Sequence, residues 1–371
     1  MSTIIERPGS RYEGGQMTRR DLFRSLSALS AMALAPPRVM GQSRDSVLPV
    51  PVRTLNHVSL SSSNVQYSVL WYQRVFGMSM VYHQDVPGTA GVYILKIGAG
   101  PSYIALSRKG PESVATSEPS RPHFAWGVKN FDVDRCMRAL TEHHVWPARV
   151  AIREGTVELN FEDPDGFPLQ FTDESSCGGG GYLGDLCDPS TTPLRVPGDP
   201  PPIAARTLNH VTYMVPDLQR SLAWYQKLTD MKIATYQELK GGPRTAGYQG
   251  PPIPILRIGA GPQHLALTEG SGPLVSRPRF GLGVEGFDLD QVRKRLAEHG
   301  VPAFAASSVK WASPTSWTPM RVRTREGVTQ ELLVEDPDGA EIQLQDVTYC
   351  GGGGALGNVC DPRQRPFPGS R

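Results

Sequence analysis

One hexapeptide, Arg-Thr-Leu-Asn-His-Val, occurs twice, at 53–58 and again at 206–211. The stretch downstream of each copy repeats as well. Trp71-Tyr72-Gln73 returns as Trp224-Tyr225-Gln226, Gly98-Ala99-Gly100-Pro101 as Gly259-Ala260-Gly261-Pro262, and Asp163-Pro164-Asp165-Gly166 as Asp336-Pro337-Asp338-Gly339. Self-similarity at this period leaves little room for anything but a tandem of two equivalent halves. Each hexapeptide reads as a short strand, in which Leu55, His57 and Ser59 share one side and Asn56, Val58 and Leu60 the other.

The first strand is followed by apolar residues at helical spacing from Val65 to a C-capping Gly77, then by strands Val92–Ile97 and Ser102–Ser107. A second unit opens at His123–Val128 and continues with a helix from Asp132 to His143, whose Val133, Met137 and Leu140 mark a buried stripe. It ends in strands near Val157–Phe161 and Leu169–Phe171 around the Asp163–Gly166 turn. The second half repeats this order, with helices at Leu218–Asp230 and Asp288–His299 and an insertion at Ala305–Thr324. Each half is therefore read as two βαβββ units.

Composition is that of an ordinary globular chain of 371 residues, 20% charged with a formal net charge of +2. No basic excess invites nucleic acid, and no apolar run is long enough for stable membrane insertion. Paired arginines, Arg19-Arg20, precede a short apolar stretch, Leu26–Ala35, which resembles a twin-arginine export signal. Periplasmic or secreted localisation is the expectation. Four of five cysteines agree with it: Cys177 and Cys187, then Cys350 and Cys360, bracket two glycine-rich loops that let the chain fold back. A disulfide within each loop is expected; a thiolate metal site has no accompanying histidine. Cys136 is left as a buried thiol on a helix.

In this order, twice, these pieces resemble the vicinal oxygen chelate superfamily of glyoxalases, bleomycin-resistance proteins and extradiol dioxygenases. The Asn-His-Val strand, the Trp-Tyr-Gln-Arg-Val-Phe-Gly helix end and the Asp-Pro-Asp-Gly turn carry the likeness. The resemblance implies an α+β fold of two tandem glyoxalase-like domains, 52–187 and 206–360, each of two βαβββ modules forming a cupped mixed sheet. Residues 1–45 would be the export signal and tail, 188–205 a Pro-rich linker and 361–371 a tail.

In such proteins a divalent metal sits in the cup, held by the first and last strand of each unit. Strand alternation puts His57, His123, Gln170 and Ala105 on that open face, which the resemblance makes the ligand positions: two imidazoles, one amide and one blank. The implied cofactor is a divalent ion (Fe, Mn or Zn) on His57, His123 and Gln170, weakened by an amide where the dioxygenases use a carboxylate. Tyr103 is a candidate proton donor. Glu158 is a candidate base, provided its strand does not turn it from the cup. The second half keeps His210, His264 and Gln343 but has Arg279 where His123 would be, and a guanidinium cannot ligate a cation; anion binding or structural pairing is expected there. Two functions are expected on these grounds. One is an exported metal-dependent enzyme, dioxygenase- or lyase-like, acting on a small oxygenated molecule in the first half. The other is a metal-free periplasmic small-molecule binder of bleomycin-resistance type.

Overall fold

The computed structural model describes residues 48–84, 91–108, 122–153, 155–187, 201–237, 252–270, 279–301, 320–325 and 328–360. The expected export signal, C-terminal tail, most of the linker and most of the insertion lie outside the described residues.

The first half runs β1 (Val52–Ser62), α1 (Val65–Phe76), β2 (Ser79–Gln84), β3 (Val92–Lys96), β4 (Tyr103–Arg108), β5 (His123–Val128), α2 (Val133–Glu142), β6 (Arg149–Arg153), β7 (Thr156–Glu162) and β8 (Pro168–Asp173). The second half repeats it as β9 (Ala205–Val215), α3 (Leu218–Leu228), β10 (Lys232–Gln237), β11 (Ile253–Arg257), β12 (His264–Glu269), β13 (Arg279–Val284), α4 (Leu289–Glu298), β14 (Arg321–Arg325), β15 (Thr329–Glu335) and β16 (Glu341–Asp346). Each half is one eight-stranded mixed sheet, ordered β2-β3-β4-β1-β5-β8-β7-β6 and β10-β11-β12-β9-β13-β16-β15-β14. The tandem α+β architecture expected from the repeat is the observed one. Four strands the periodicity did not locate, β2, β6, β10 and β14, complete the units. Residues 321–324, expected in an insertion, belong to β14.

Each of the four described helices starts on a side chain that accepts a backbone N–H of the first turn: Asn64, Asp132, Asp217 and Asp288. One face of each sheet is apolar and packs on the helices. Val58, Ile104, Leu106, Phe124, Trp126, Leu169 and Phe171 join a core cluster that continues without a break into Leu208, Val211, Tyr213 and Tyr225 of the second half. No helix among the described residues is long and apolar enough to cross a membrane.

Strict alternation in β1 fails at two points, at Arg53 and at Asn56, and the second shapes the site. Leu55 pairs with Trp126 and His57 with Ala125, so Asn56 is an extra residue in a β-bulge. Leu55 therefore faces the core rather than sharing a side with His57. The same bulge recurs in β9, where Leu208 pairs with Leu282 and His210 with Gly281.

The halves are bolted together reciprocally. The Tyr225 hydroxyl on α3 donates to Asp163 Oδ2 at 2.6 Å, and the Tyr72 hydroxyl on α1 donates to Asp336 Oδ2 at 2.9 Å. Ser63 and Ser68 bond Asp338, while Arg220 and Ser221 bond Asp165. The repeated Asp-Pro-Asp-Gly turn is thus both a hairpin turn and a socket for the other half's first helix.

Two disulfides join Cys177 to Cys187 and Cys350 to Cys360, and Cys136 is a buried free thiol. Such bridges fit an extracellular or periplasmic protein. Thiol titration of the denatured, unreduced chain is expected to find about one free thiol, since paired cysteines do not react; about five would exclude both bridges.

Candidate functional site

The face of each sheet away from the helices forms a basin. In the first, His57 on β1 and His123 on β5 bring their Nε2 atoms to 3.4 Å. The His57 ring stacks on Tyr103 of β4 with centroids 4.3 Å apart. From the far side come Gln170 on β8 and Glu158 on β7. Asn160 opposes Gln170 in the register, so Glu158, two residues away, shares its face. Glu158 is not turned from the cup: it is buried and paired with Arg153 at 3.6 Å.

The bulge gives Asn56 its purpose. Its amide donates from Nδ2 to the Ser176 carbonyl at 2.7 Å, which fixes its orientation, and its Oδ1 lies 2.9 Å from His57 Nδ1. His57 therefore carries its proton on Nδ1 and turns the lone pair of Nε2 into the basin. Burial first, and His123 and Arg153 next, hold the His57 imidazole well below its ordinary pKa, so the ring is neutral. Burial pushes the Glu158 carboxyl up, with Arg153 opposing, and pushes the Tyr103 hydroxyl far up.

A divalent ion fits part of this set. Two nitrogen donors about 2.1 Å from one tetrahedral ion stand about 3.4 Å apart, the spacing seen here; a shared proton suits it equally. Gln170 lies on the same face, separated from His57 by the small Ala125, and its buried Nε2 faces the Glu158 carboxyl without a bond of ordinary geometry. Among the described residues no three His, Cys, Asp or Glu side chains converge as a metal group. Two imidazoles and one amide, with the Arg153-paired carboxylate of Glu158 on the Gln170 face, are what the basin offers.

The glycine-rich disulfide loops close over these basins. Gly178, with φ +78°, lies against Ile94 and the Tyr103 ring so closely that any Cβ would strike both. Gly351 sits likewise on Ile255 and His264.

In the second basin Asn209 repeats the device, donating to the Tyr349 carbonyl at 2.8 Å with Oδ1 3.0 Å from His210 Nδ1. His264 stacks on His210 with centroids 4.7 Å apart. Gly281 stands where the first half has Ala125, and leaves no room for a Cβ beside the His210 ring. Arg279 pairs with Glu341, as does Arg321, which gives Arg279 a structural role. Tyr349 donates to Glu331 Oε1 at 2.6 Å and accepts from Gln237 Nε2 at 2.7 Å.

A family model described as the Glyoxalase/Bleomycin resistance protein/Dioxygenase superfamily matches residues 54–171 and 207–344, most of the chain. The chain belongs to this superfamily. It is 25% identical over 131 residues to Glyoxylase I 4 of Arabidopsis thaliana, covering 34% of this chain and 74% of that one. Its fold is similar to that of a homoprotocatechuate 2,3-dioxygenase variant from Brevibacterium fuscum (TM-score 0.53, 15% identity, 86% of this chain and 77% of that one). It is also similar to the native enzyme from Arthrobacter globiformis (TM-score 0.52, 15% identity, 80% of each chain). At such identities the likeness is one of fold.

Within the superfamily frame, sequence reasoning placed His57, His123, Tyr103, Gln170, His210, His264, Arg279 and Gln343 on the basin faces, and the structure puts them there. It missed the orienting asparagines, Asn56 and Asn209, although the repeated Asn-His dipeptide was the signal. It missed Arg153, Arg323 and Arg325 because β6 and β14 had not been located, and it did not carry Glu158 across to its counterpart Glu331 on β15.

Proposed function

We propose that the first basin is the active site of an exported, metal-dependent enzyme of dioxygenase- or lyase-like type, acting on a small oxygenated molecule. The observation that carries this reading is the pair of converging imidazoles, one of them locked by Asn56 into the tautomer that offers a lone pair. His57 and His123, with the Gln170 amide, would hold a divalent ion, and that ion when bound would polarise substrate oxygens as a Lewis acid. Tyr103 keeps its proton at every physiological pH and serves as a hydrogen-bond donor to substrate. Glu158, raised by burial, would accept a proton, while Arg153 keeps the carboxylate positioned. The disulfide loop over Tyr103 excludes water from that side. The paired arginines near the N-terminus and the two disulfides support export by the twin-arginine route.

A metal-free binding protein is the second reading, favoured by Gln170 standing where a carboxylate would make the site stronger for a dication. Elemental analysis of protein recovered from the periplasm separates the two. About one equivalent of iron, manganese or zinc per chain, lost in both His57→Ala and His123→Ala, is expected from a site with these donors. A chain free of metal after purification and after reloading with each ion would overturn the enzyme reading in favour of the binder.

A further inference from the structure

The two glycine-rich loops are more alike than the basins they cover. In each, a disulfide joins cysteines 10 positions apart, and four consecutive glycines follow the first of them. A segment so rich in glycine gains a great deal of freedom when released, so the bridge is what holds it in one conformation. The held conformation ends on the asparagine beside the basin histidine. The peptide joining Ser176 to Cys177 gives its N–H to the Gly184 carbonyl at 2.9 Å across the loop, and its carbonyl receives Asn56 Nδ2 at 2.7 Å. In the second half the peptide joining Tyr349 to Cys350 is gripped in the same way, by Gly357 at 3.0 Å and by Asn209 at 2.8 Å. Thr156 Oγ1 ties the first loop to β7 through the Gly179 carbonyl, and Thr329 Oγ1 ties the second to β15 through that of Gly354.

A carbonyl can only accept, so it decides which way round the asparagine amide lies. With Nδ2 on the loop, Oδ1 faces the histidine, and the ring must carry its proton on Nδ1; the separations are 2.9 Å at His57 and 3.0 Å at His210. Turned over, the amide would present Nδ2 to the ring instead, and the proton would have to sit on Nε2. In the first basin His123 Nε2 lies 3.4 Å away and can accept it there. The two histidines have different neighbours, His123 and Tyr103 beside one and His264 beside the other. What the basins share is the bridge, the gripped peptide, the asparagine and the histidine, so the histidine is what the loop serves.

We propose that each disulfide loop positions the histidine of its own basin: the closed Cys177–Cys187 bridge keeps the Ser176 carbonyl on Asn56 and the His57 proton on Nδ1, and opening it lets the amide turn and the proton move to Nε2. Cys350–Cys360 does the same for Asn209 and His210. Opening by a dithiol passes two electrons and two protons to the bridge, which becomes two thiols while the dithiol closes to a cyclic disulfide. The imidazole gains and loses no proton overall; only the place of its proton changes. With that change His57 no longer turns a lone pair into the first basin. The proposal goes beyond the enzyme reading of that basin and does not depend on it, because the tautomer is set without an ion.

Nuclear magnetic resonance tests it on the full chain, with labelled histidine ring nitrogens and metal removed by a chelator, at about pH 8, where burial keeps both rings neutral. Correlating each ring nitrogen with the ring protons tells the tautomers apart, and His57→Gln and His210→Gln assign the signals. Both histidines should show Nδ1–H in the wild type. Cys177→Ser combined with Cys187→Ser should convert His57 to a predominantly Nε2–H ring and leave His210 as it was; Cys350→Ser with Cys360→Ser should do the reverse. Asn56→Ala should shift His57 with both bridges closed. Reduction of the folded wild type by a dithiol, which needs no substitution, should shift both histidines. An Nε2–H ring at His57 in the wild type, or an unmoved His57 when its own bridge is open, would overturn the proposal. So would a shift of both histidines on loss of either bridge alone, the mark of general loosening rather than positioning.

Discussion

Replacing Trp126 by alanine should lower the unfolding free energy by about 3–5 kcal/mol, the range for a large aromatic removed from a core that cannot collapse. Trp126 is 1% exposed and lies on the helix-facing side of β5. Its ring stacks on Tyr225 of the other half, with centroids 5.7 Å apart and planes 13° from parallel. Tyr225 in turn donates to Asp163, so the void would open beneath the hydrogen bond that ties α3 to the first half. Because one apolar cluster runs through both halves, urea unfolding should remain a single transition with a lower midpoint. Trp146, 65% exposed, is the matched control, and its alanine variant should change stability by less than about 0.5 kcal/mol. A Trp126→Ala cost under about 1 kcal/mol, or two separated transitions, would show that the halves do not share a core.

Acidification below neutrality should destabilise the protein, through groups of opposite sign that two variants can separate. His57, His210 and His264 are buried as neutral rings, and burial lowers all three, His264 to about 4. A lowered histidine contributes stability that is present above its unfolded value near 6.5 and is lost as pH falls toward the folded value. For His264 that loss is about 2–3 kcal/mol by pH 4.5. Asp163 and Asp336 work the other way. Burial raises both to about 6 against the hydrogen bonds of Tyr225 and Tyr72. Their contribution is fully present below about 4 and is lost as pH rises through 6, so acidification from 7 to 4.5 returns about 2 kcal/mol at each. Denaturant midpoints measured from pH 7 to 4.5 should therefore fall less in His264→Gln than in wild type, and fall more in Asp163→Asn. If both variants keep the wild-type slope, these groups do not govern the acid response.

The repeat made most of this architecture legible. Once two copies of Arg-Thr-Leu-Asn-His-Val are seen, the later helices and turns fall into register, and alternation within β4, β5 and β8 separates Ile104, Trp126 and Phe171 from Tyr103, His123 and Gln170. Alternation could not foresee the bulge at Asn56, because an inserted residue leaves no mark on the hydrophobic pattern when its neighbours are Leu55 and His57. Nor could it find β6 and β14. Their Arg-Val-Ala-Ile-Arg and Arg-Val-Arg-Thr-Arg sequences look like solvated edge segments, and only the ion pairs of Arg153 with Glu158 and of Arg323 and Arg325 with Glu331 show that these arginines point inward. The part played by Asp163 and Asp336 was hidden for another reason: a turn motif explains itself locally, and nothing in Asp-Pro-Asp-Gly announces a tyrosine from the other half.

That reciprocal bolting bears on how such a chain could have arisen. The first half carries both the plug, Tyr72 with Ser63 and Ser68, and a socket of the same kind, Asp163 with Asp165; the second carries its own version of each. A half severed from its sibling would therefore expose a surface complementary to itself, and two copies could close around a twofold axis with Tyr72 of each entering Asp163 of the other. The covalent tandem is in this sense a homodimer written on one chain. The two basins differ in what stands beside their imidazoles, Arg153 in the first and Arg279, Arg323 and Arg325 in the second, while the shared seam holds both to a common frame.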